Sequence, residues 1–307
     1  MELVDLLRTL FIIALFPAGL FVLVNGLLYQ WANRKAIARL QNRVGPRWFQ
    51  PFADALKLLA KEEVVPESTN PRLFMGLPVV ALAGALTAAL YLPIAGLAPA
   101  YSFPGDLIVT VYMLSLLTLC TGLAGAGTRS RFALVGATRT LTQLFSYEAP
   151  FLLAMLGPAV AVGSWQITGI MDYASSHLLL LTQPVGFVIA LIGLMGKLEM
   201  PPFDAPEAET EIVAGALTEY SGRGLALFQL GRSVELVCGL TLVAAFYLGG
   251  IYSPLDYLFK TAGLLLGLAA LQAVLARLRI DQTVGMWWRY GSLLVLAQWA
   301  VMIVTRS

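Results

Sequence analysis

Ligands for a metal ion are almost missing from this chain. It has one histidine, His177, and two cysteines, Cys120 and Cys238, each alone inside an apolar run. Neither a disulfide framework nor a zinc or iron–sulfur spacing can be assembled from them. Any redox metal the protein works with is therefore expected in a partner, and no cofactor is expected to bind this chain directly. Charge is scarce as well. Charged residues make up 12% of the 307, against about 25% in soluble domains. The net charge of +2 gives no nucleic-acid signal. No internal repeat is found, which weakens an inverted-repeat transporter reading. The first apolar run lacks a small-residue cleavage site and reads as a retained span, not a signal peptide.

Apolar residues are what the chain does have, at 58%. They fall in runs long enough to cross a bilayer, which takes roughly 20 residues. Spans are expected near 9–31, 73–97, 106–127, 147–169, 178–196, 224–250, 257–276 and 286–304. Each is read as a helix, because backbone groups in lipid must be satisfied within the segment. The alternation of a membrane barrel is absent. The expected fold is all-α: a polytopic membrane helix bundle of about eight spans, forming a single integral membrane domain over 1–307.

Lys and Arg set the expected orientation. Segment 32–72 holds Arg34, Lys35, Arg39, Arg43, Arg47, Lys57, Lys61 and Arg72. The other odd-numbered connections hold Arg129, Arg131, Arg139, Lys197, Arg223, Arg277, Arg279 and Arg289, whereas the even-numbered ones hold only Lys260. The positive-inside rule places the first set in the cytoplasm. Both termini then face outward from a cytoplasmic (inner) membrane, and loops 32–72 and 197–223 are cytoplasmic.

Six of the 18 carboxylates lie within the 21 residues 199–219: Glu199, Asp204, Glu207, Glu209, Glu211 and Glu219. Asp204 and Pro206 suit a helix start. On such a helix Glu207 and Glu211 share a face at i, i+4 and repel. Repulsion and desolvation would raise the proton affinity of at least one of them. A solvated acidic loop is the plainer reading. The interleaved Phe203, Ile212, Val213 and Tyr220 argue instead for docking against the bundle, where ionisable groups are costly and usually functional. Glu148, in Tyr147-Glu148-Ala-Pro150, is placed at the cytoplasmic start of the fourth span. It is either an interfacial carboxylate or a proton-relay group facing inward. Glu235 lies three residues from Arg232, so pairing on one helical face and a relay role are both open.

In the first loop Gly45-Pro46 marks a turn. After Pro51, Phe52, Leu56, Leu59 and Ala60 follow an amphipathic helical pattern. Such a helix can lie in the lipid interface with Lys57 and Lys61 toward headgroups. Arg43 and Asp54 are the loop residues most suited to partner docking or a site.

Together these segments resemble one family: the quinone-site membrane subunit of respiratory complex I and its relatives in the membrane-bound [NiFe] hydrogenases. The matching residues are Arg43, Gly45-Pro46, Gln50-Pro51, Ala53-Asp54, Lys57-Leu58, Gly136, Arg139, Ser146-Tyr147-Glu148, Pro202-Phe203-Asp204, Pro206-Glu207, Glu209, Glu211, Gly215, Glu219-Tyr220, Gly222, Arg277, Arg279 and Asp281-Gln282. They are collinear over most of the chain. The resemblance implies a membrane component that does no redox chemistry itself. It would anchor a peripheral arm and couple that arm to ion movement in antiporter-like membrane subunits. Glu148, Glu207, Glu209 and Glu211 match the family's carboxylate path, to which Glu199, Glu219 and Glu235 are added as candidates. Arg43, Asp54 and Lys57 match the loop near the quinone cavity. Asp204, Arg279 and Asp281 are further candidates for cavity or arm docking.

Four features depart from the complex I pattern. Only Arg47-Trp48-Phe49 separate Gly45-Pro46 from Gln50-Pro51, where that branch usually has several more residues. Lys197, Arg232 and Asn33 stand where it usually has glutamates. These changes look like the hydrogenase or ferredoxin-linked branch. The expected partners are hydrogenase-like large and small subunits, which would carry the [NiFe] centre and iron–sulfur clusters. The alternatives are the same component in a quinone-reducing complex and, from another class, a stand-alone proton-coupled transporter.

Overall fold

The computed structural model describes residues 3–67 and 69–306. Its helices are α1 (Leu3–Ala14), α2 (Gly19–Leu40), α3 (Gln50–Ala60), α4 (Pro71–Ala89), α5 (Asp106–Ala126), α6 (Arg131–Val162), α7 (Ile167–Ser176), α8 (Leu179–Thr182), α9 (Pro184–Lys197), α10 (Glu209–Ile212), α11 (Gly222–Tyr247), α12 (Pro254–Val274), α13 (Ile280–Met286) and α14 (Ser292–Arg306). No strand occurs among the described residues. The expected all-α membrane bundle is the fold found.

Among the described residues six segments are long and apolar enough to cross a bilayer: 5–40, 71–96, 106–126, 131–162, 222–247 and 254–274. The two other expected spans are altered. In place of 178–196 there is α8, a break at Gln183, and α9 of 14 residues. Pro184 causes the break, since the residue before a proline is pushed out of the helical region. Gln183 accordingly has φ −132° and ψ 55°. In place of 286–304 one helical run covers 280–306, with a π-helical stretch at Trp287–Gly291. The fourth span also differs, because its helix begins at Arg131 rather than near 147. Thr-, Gln- and Arg-bearing turns precede the apolar part, so a hydropathy window misses them while the helix continues through.

The centre of the bundle is α11, in which every residue from Ser233 to Tyr247 is buried. A helix apolar on all sides belongs in a core. It packs against α2, α3, α4, α7, α9 and α12. Around it, α4, α5, α6 and α9 follow one another side by side. Close approach depends on small residues. A Cβ at Gly239 of α11 would lie 2.3 Å from Leu194 of α9, and one at Gly193 of α9 would lie 2.9 Å from Phe151 of α6. Helices α2 and α12 are joined by polar side chains. Asn25 donates to Tyr257 Oη (2.7 Å), Tyr29 and Thr261 share a 2.6 Å bond, and Asn33 donates to Gln272 (3.3 Å).

Segments 41–67, 69–70, 127–130, 198–221 and 275–279 lie at one end of the bundle, here called the loop face. The expected amphipathic helix after Pro51 is present as α3, with Leu56 and Lys57 exposed and Pro51 buried.

Candidate functional site

The site begins on α6. Arg139 lies near its loop-face end, and Glu148 lies nine residues further along, about 14 Å deeper at 1.5 Å per residue. Glu148 is thus in mid-helix, not at a helix start, and Pro150 lies inside the same helix.

Lys197 reaches Glu148 from the last turn of α9, and its side chain is fully buried. The ammonium Nζ donates to Ser115 Oγ of α5 (2.9 Å) and stands 3.5 Å from Glu148 Oε2. Ser115 in turn donates to Glu148 Oε1. The rings of Tyr147 and Phe151 lie 5.7 and 5.6 Å from the same ammonium. A buried cation is tolerated only with such partners. Gln143 fixes the surrounding backbone by donating to the carbonyls of Gly196 (3.0 Å) and Phe203 (2.8 Å).

A second cation, Arg232 of α11, bridges two carboxylates of the acidic loop. It donates to Glu199 (2.6 Å) and to Glu207. Burial pushes the Glu199 carboxyl above its ordinary value, against the opposing pull of Arg232. Three residues further, Glu235 is buried and makes no ion pair among the described residues. The charges that reach it are Lys197, Arg232, Glu199 and Glu148. An Arg232–Glu235 pair is therefore not formed, because Arg232 is turned toward the loop.

In the outermost set Glu211 is exposed, and Arg139, Arg277 and Asp204 are half-buried. Arg139 donates to Glu211 (2.7 Å) and to the Ala205 carbonyl (3.3 Å). Arg277 lies 3.5 Å from Glu211 and 3.4 Å from Asp204. The hydrogen bond from Arg139, helped by the charge of Arg277, holds the Glu211 carboxyl below its ordinary value. This is opposite to the repulsion expected between Glu207 and Glu211, which face different cations and share no helical face. Nor does Asp204 start a helix. Its carbonyl accepts from Ala208 N (3.1 Å) in a turn, and the helix there, α10, begins only at Glu209. The loop is bent by left-handed backbone at Glu199, Ala208 and Val213. Tertiary ties therefore decide its path, and the local capping signal does not.

Beside this network a cleft of ≈ 470 Å³ opens between α2, α11 and the acidic loop, lined by Gln30, Arg34, Glu199, Glu207, Tyr220 and Arg232. A smaller one of ≈ 340 Å³ includes Asp54, Lys57, Arg34 and Gln229. Arg279 and Asp281 border the outermost set around Arg139. Arg43 is exposed and lines neither of these two clefts, lying next to Arg34 and Gly45. Glu219 is half-buried with no ion pair among the described residues, and the side chain of Glu209 lies outside them. Ser115, Gln143, Gln30 and Gln229 had no signal in the sequence, being single polar residues without a motif. Among the described residues no group of His, Cys, Asp or Glu is placed to hold a metal ion. Carboxylates thus alternate with cations from the loop face inward: Asp204, Glu211 and Arg277 with Arg139, then Glu207, Arg232 and Glu199, then Glu235, Lys197 and Glu148. Groups of this kind can exchange protons when their mutual ion pairs shift.

The profile of the family described as NADH dehydrogenase matches residues 12–304. The H subunit of NADH-quinone oxidoreductase from Dehalococcoides mccartyi strain 195 is 33% identical over 88% of this chain and 79% of its own length. Its counterpart from Syntrophotalea carbinolica is 32% identical over 88% of this chain and 90% of its own. The fold is shared with a chain of an archaeal respiratory membrane complex, the membrane-bound sulfane sulfur reductase. The TM-score is 0.84 at 23% identity, covering 97% of this chain and 99% of that one. Matched in profile and over most of the length of these relatives, the chain belongs to the NADH dehydrogenase family of membrane proteins, the one that includes the H subunit of NADH-quinone oxidoreductase.

Proposed function

We propose that this chain is the membrane anchor and coupling subunit of a complex I-related energy-converting complex of the hydrogenase type. It links electron transfer in a peripheral iron–sulfur and [NiFe] arm to movement of protons or sodium ions. It carries no redox centre itself. In this reading the loop face is cytoplasmic, both termini are outside, and the chain is one membrane domain in the inner membrane. The arm docks over the first loop and the acidic loop, near Arg43, Asp54, Lys57, Asp204, Arg279 and Asp281. Antiporter-like subunits lie alongside in the bilayer.

The observation that carries the coupling role is the alternation of carboxylates and cations between the loop face and Glu148, exposed at Glu211, buried at Glu199 and Lys197 and largely buried at Glu148. A bundle that only anchored a partner would not need Lys197 and Glu148 together in its interior, since an apolar pair of similar volume is at least as stable. In the path, Glu207 and Glu199 receive charge from the loop face, Glu235 and Glu148 carry it inward, and Glu209, Glu211 and Glu219 flank its mouth. The hydrogenase branch is favoured by Lys197 and Arg232 at positions where the quinone-reducing branch has glutamates.

A second reading, the equivalent component of a quinone-reducing complex, is favoured by the cleft between Arg34, Tyr220 and Arg232. Purification of the native complex separates the two. The hydrogenase reading expects a partner bearing two Cys-x-x-Cys pairs with nickel. Bound quinone and sensitivity to quinone-site inhibitors would favour the other. For the path itself, Glu148→Gln is expected to leave the complex assembled and to abolish ion uptake into proteoliposomes. Uptake at the wild-type ratio of ions to electrons would sink it.

A further inference from the structure

The buried cation Lys197 stands at a junction of four helices, and the geometry there goes beyond one ion pair. Ser115 comes from α5 and Glu148 from α6, and both contact its ammonium. The fourth helix is α11, which runs antiparallel to α9. Leu194 of α9 lies against Gly239 of α11. Lys197 is three residues beyond Leu194 toward the loop face, and Glu235 is four residues from Gly239 in the same direction. At 1.5 Å per residue these steps are about 4.5 and 6 Å. Residues three and four apart share a helical face, so Lys197 and Glu235 leave the facing sides of α9 and α11 at similar depth. Glu235 Oε1 is buried and accepts no hydrogen bond among the described residues. Arg232, the other cation near Glu235, is already bound to Glu199 and Glu207.

Resting on the coupling role proposed above, we propose that Lys197 is a charge gate between two carboxylates: its ammonium pairs with Glu148 in the arrangement described and transfers to Glu235 when Glu148 takes up a proton. The side chain has the reach for both, because a lysine stem is long and rotatable, whereas the arginine fork is rigid. No atom is gained or lost at Lys197. A proton adds to Glu148 and its ion pair with Lys197 breaks; Glu235, which keeps its proton while no cation is beside it, releases that proton toward the loop face, and the carboxylate left pairs with the ammonium. Release of the proton from Glu148 reverses the motion. Tyr147 and Phe151 present only ring faces to the moving ammonium. Ser115 holds it on the Glu148 side.

The test uses the whole purified complex in proteoliposomes, with ions moved per electron read from a trapped pH dye and from radioactive sodium. Lys197→Met is expected to lower that ratio at least tenfold in an assembled complex. A wild-type ratio in assembled Lys197→Met overturns the gate. Should that variant fail to assemble, Glu235→Gln decides. It keeps the Lys197–Glu148 pair but removes the second station, and the ratio is expected to fall tenfold. An unchanged ratio in Glu235→Gln overturns the gate as well. Glu148→Gln separates this proposal from the one it rests on. Normal pumping there removes the whole carboxylate path, whereas loss of pumping there with normal pumping in Lys197→Met removes the gate alone.

Discussion

Gln143 ties α6 to two carbonyls that flank the site, at Gly196 and Phe203. Replacing it by Leu leaves both buried acceptors without that donor, and an unmet buried group costs about 1–3 kcal/mol. Gln143→Leu is therefore expected to lower the thermal unfolding midpoint of the purified complex, and an unshifted midpoint would show that the tie carries no weight. Glu211 gives a prediction in pH. Arg139 and Arg277 hold its carboxyl below the ordinary 4.5. A carboxylate depressed on folding adds stability above its unfolded value and loses it as pH falls through the folded one. Hydrogen-exchange protection of residues 205–212 should hold above about pH 4.5 and fall below it. In Arg139→Gln the fall should be weaker; an identical pH profile would contradict the link. Residue identities were legible in the sequence to an uneven degree. Glu148, Glu199, Glu207 and Glu235 stood out because carboxylates are rare in this chain. The cations that pair with the first three did not, since which cation meets which carboxylate is set by side chains 25 to 49 positions apart.

Among the elements, those defined by hydropathy alone matched expectation, including α4, α5, α11 and α12. Elements defined by conformation did not. The apolar run 178–196 gives no warning of its break except Pro184, and the amphipathic start of α6 reads as a loop because Arg139 and its neighbours are polar. The acidic loop is the extreme case. Its positive-φ residues are held by contacts with α6 and α11, not by local preference. Gly136 is where that loop meets α6. A Cβ there would lie 2.3 Å from the Gly215 carbonyl carbon and the Ala216 nitrogen. Backbone cannot swing aside as a side-chain tip can. Gly136→Ala is expected to destabilise by about 1–3 kcal/mol, the usual range for overpacking, and to increase protease cleavage within 205–217. Gly263 of α12, which has open space beside it, is the control position. Equal effects of alanine at both would show that the contact is not limiting.

On the scale of the whole molecule, α1, α12 and α14 expose many large apolar side chains, among them Leu7, Phe259, Leu293 and Val301. Such a surface needs lipid or other membrane proteins around it. If the chain serves in coupling, it should migrate on native gels in mild detergent only as part of a larger assembly. A stable lone species from native membranes would overturn that role and favour the transporter alternative.

The short helix α9 has an electrical consequence. Its 14 residues span roughly 21 Å, against roughly 30 Å for the hydrocarbon core of a bilayer. The difference is made up at its ends by the break at Gln183 and by the polar acidic loop, both of which polarise more readily than lipid. The membrane voltage therefore drops over a shorter path here than elsewhere in the bundle, and the local field is steeper by about 1.4-fold on those lengths. Moving one elementary charge through the full drop is worth about 2.3 kcal/mol per 100 mV. Lys197 stands at the loop-face edge of that thin dielectric, so if Glu148 lies on a proton path, a proton reaching it from the loop face has most of the voltage still ahead of it.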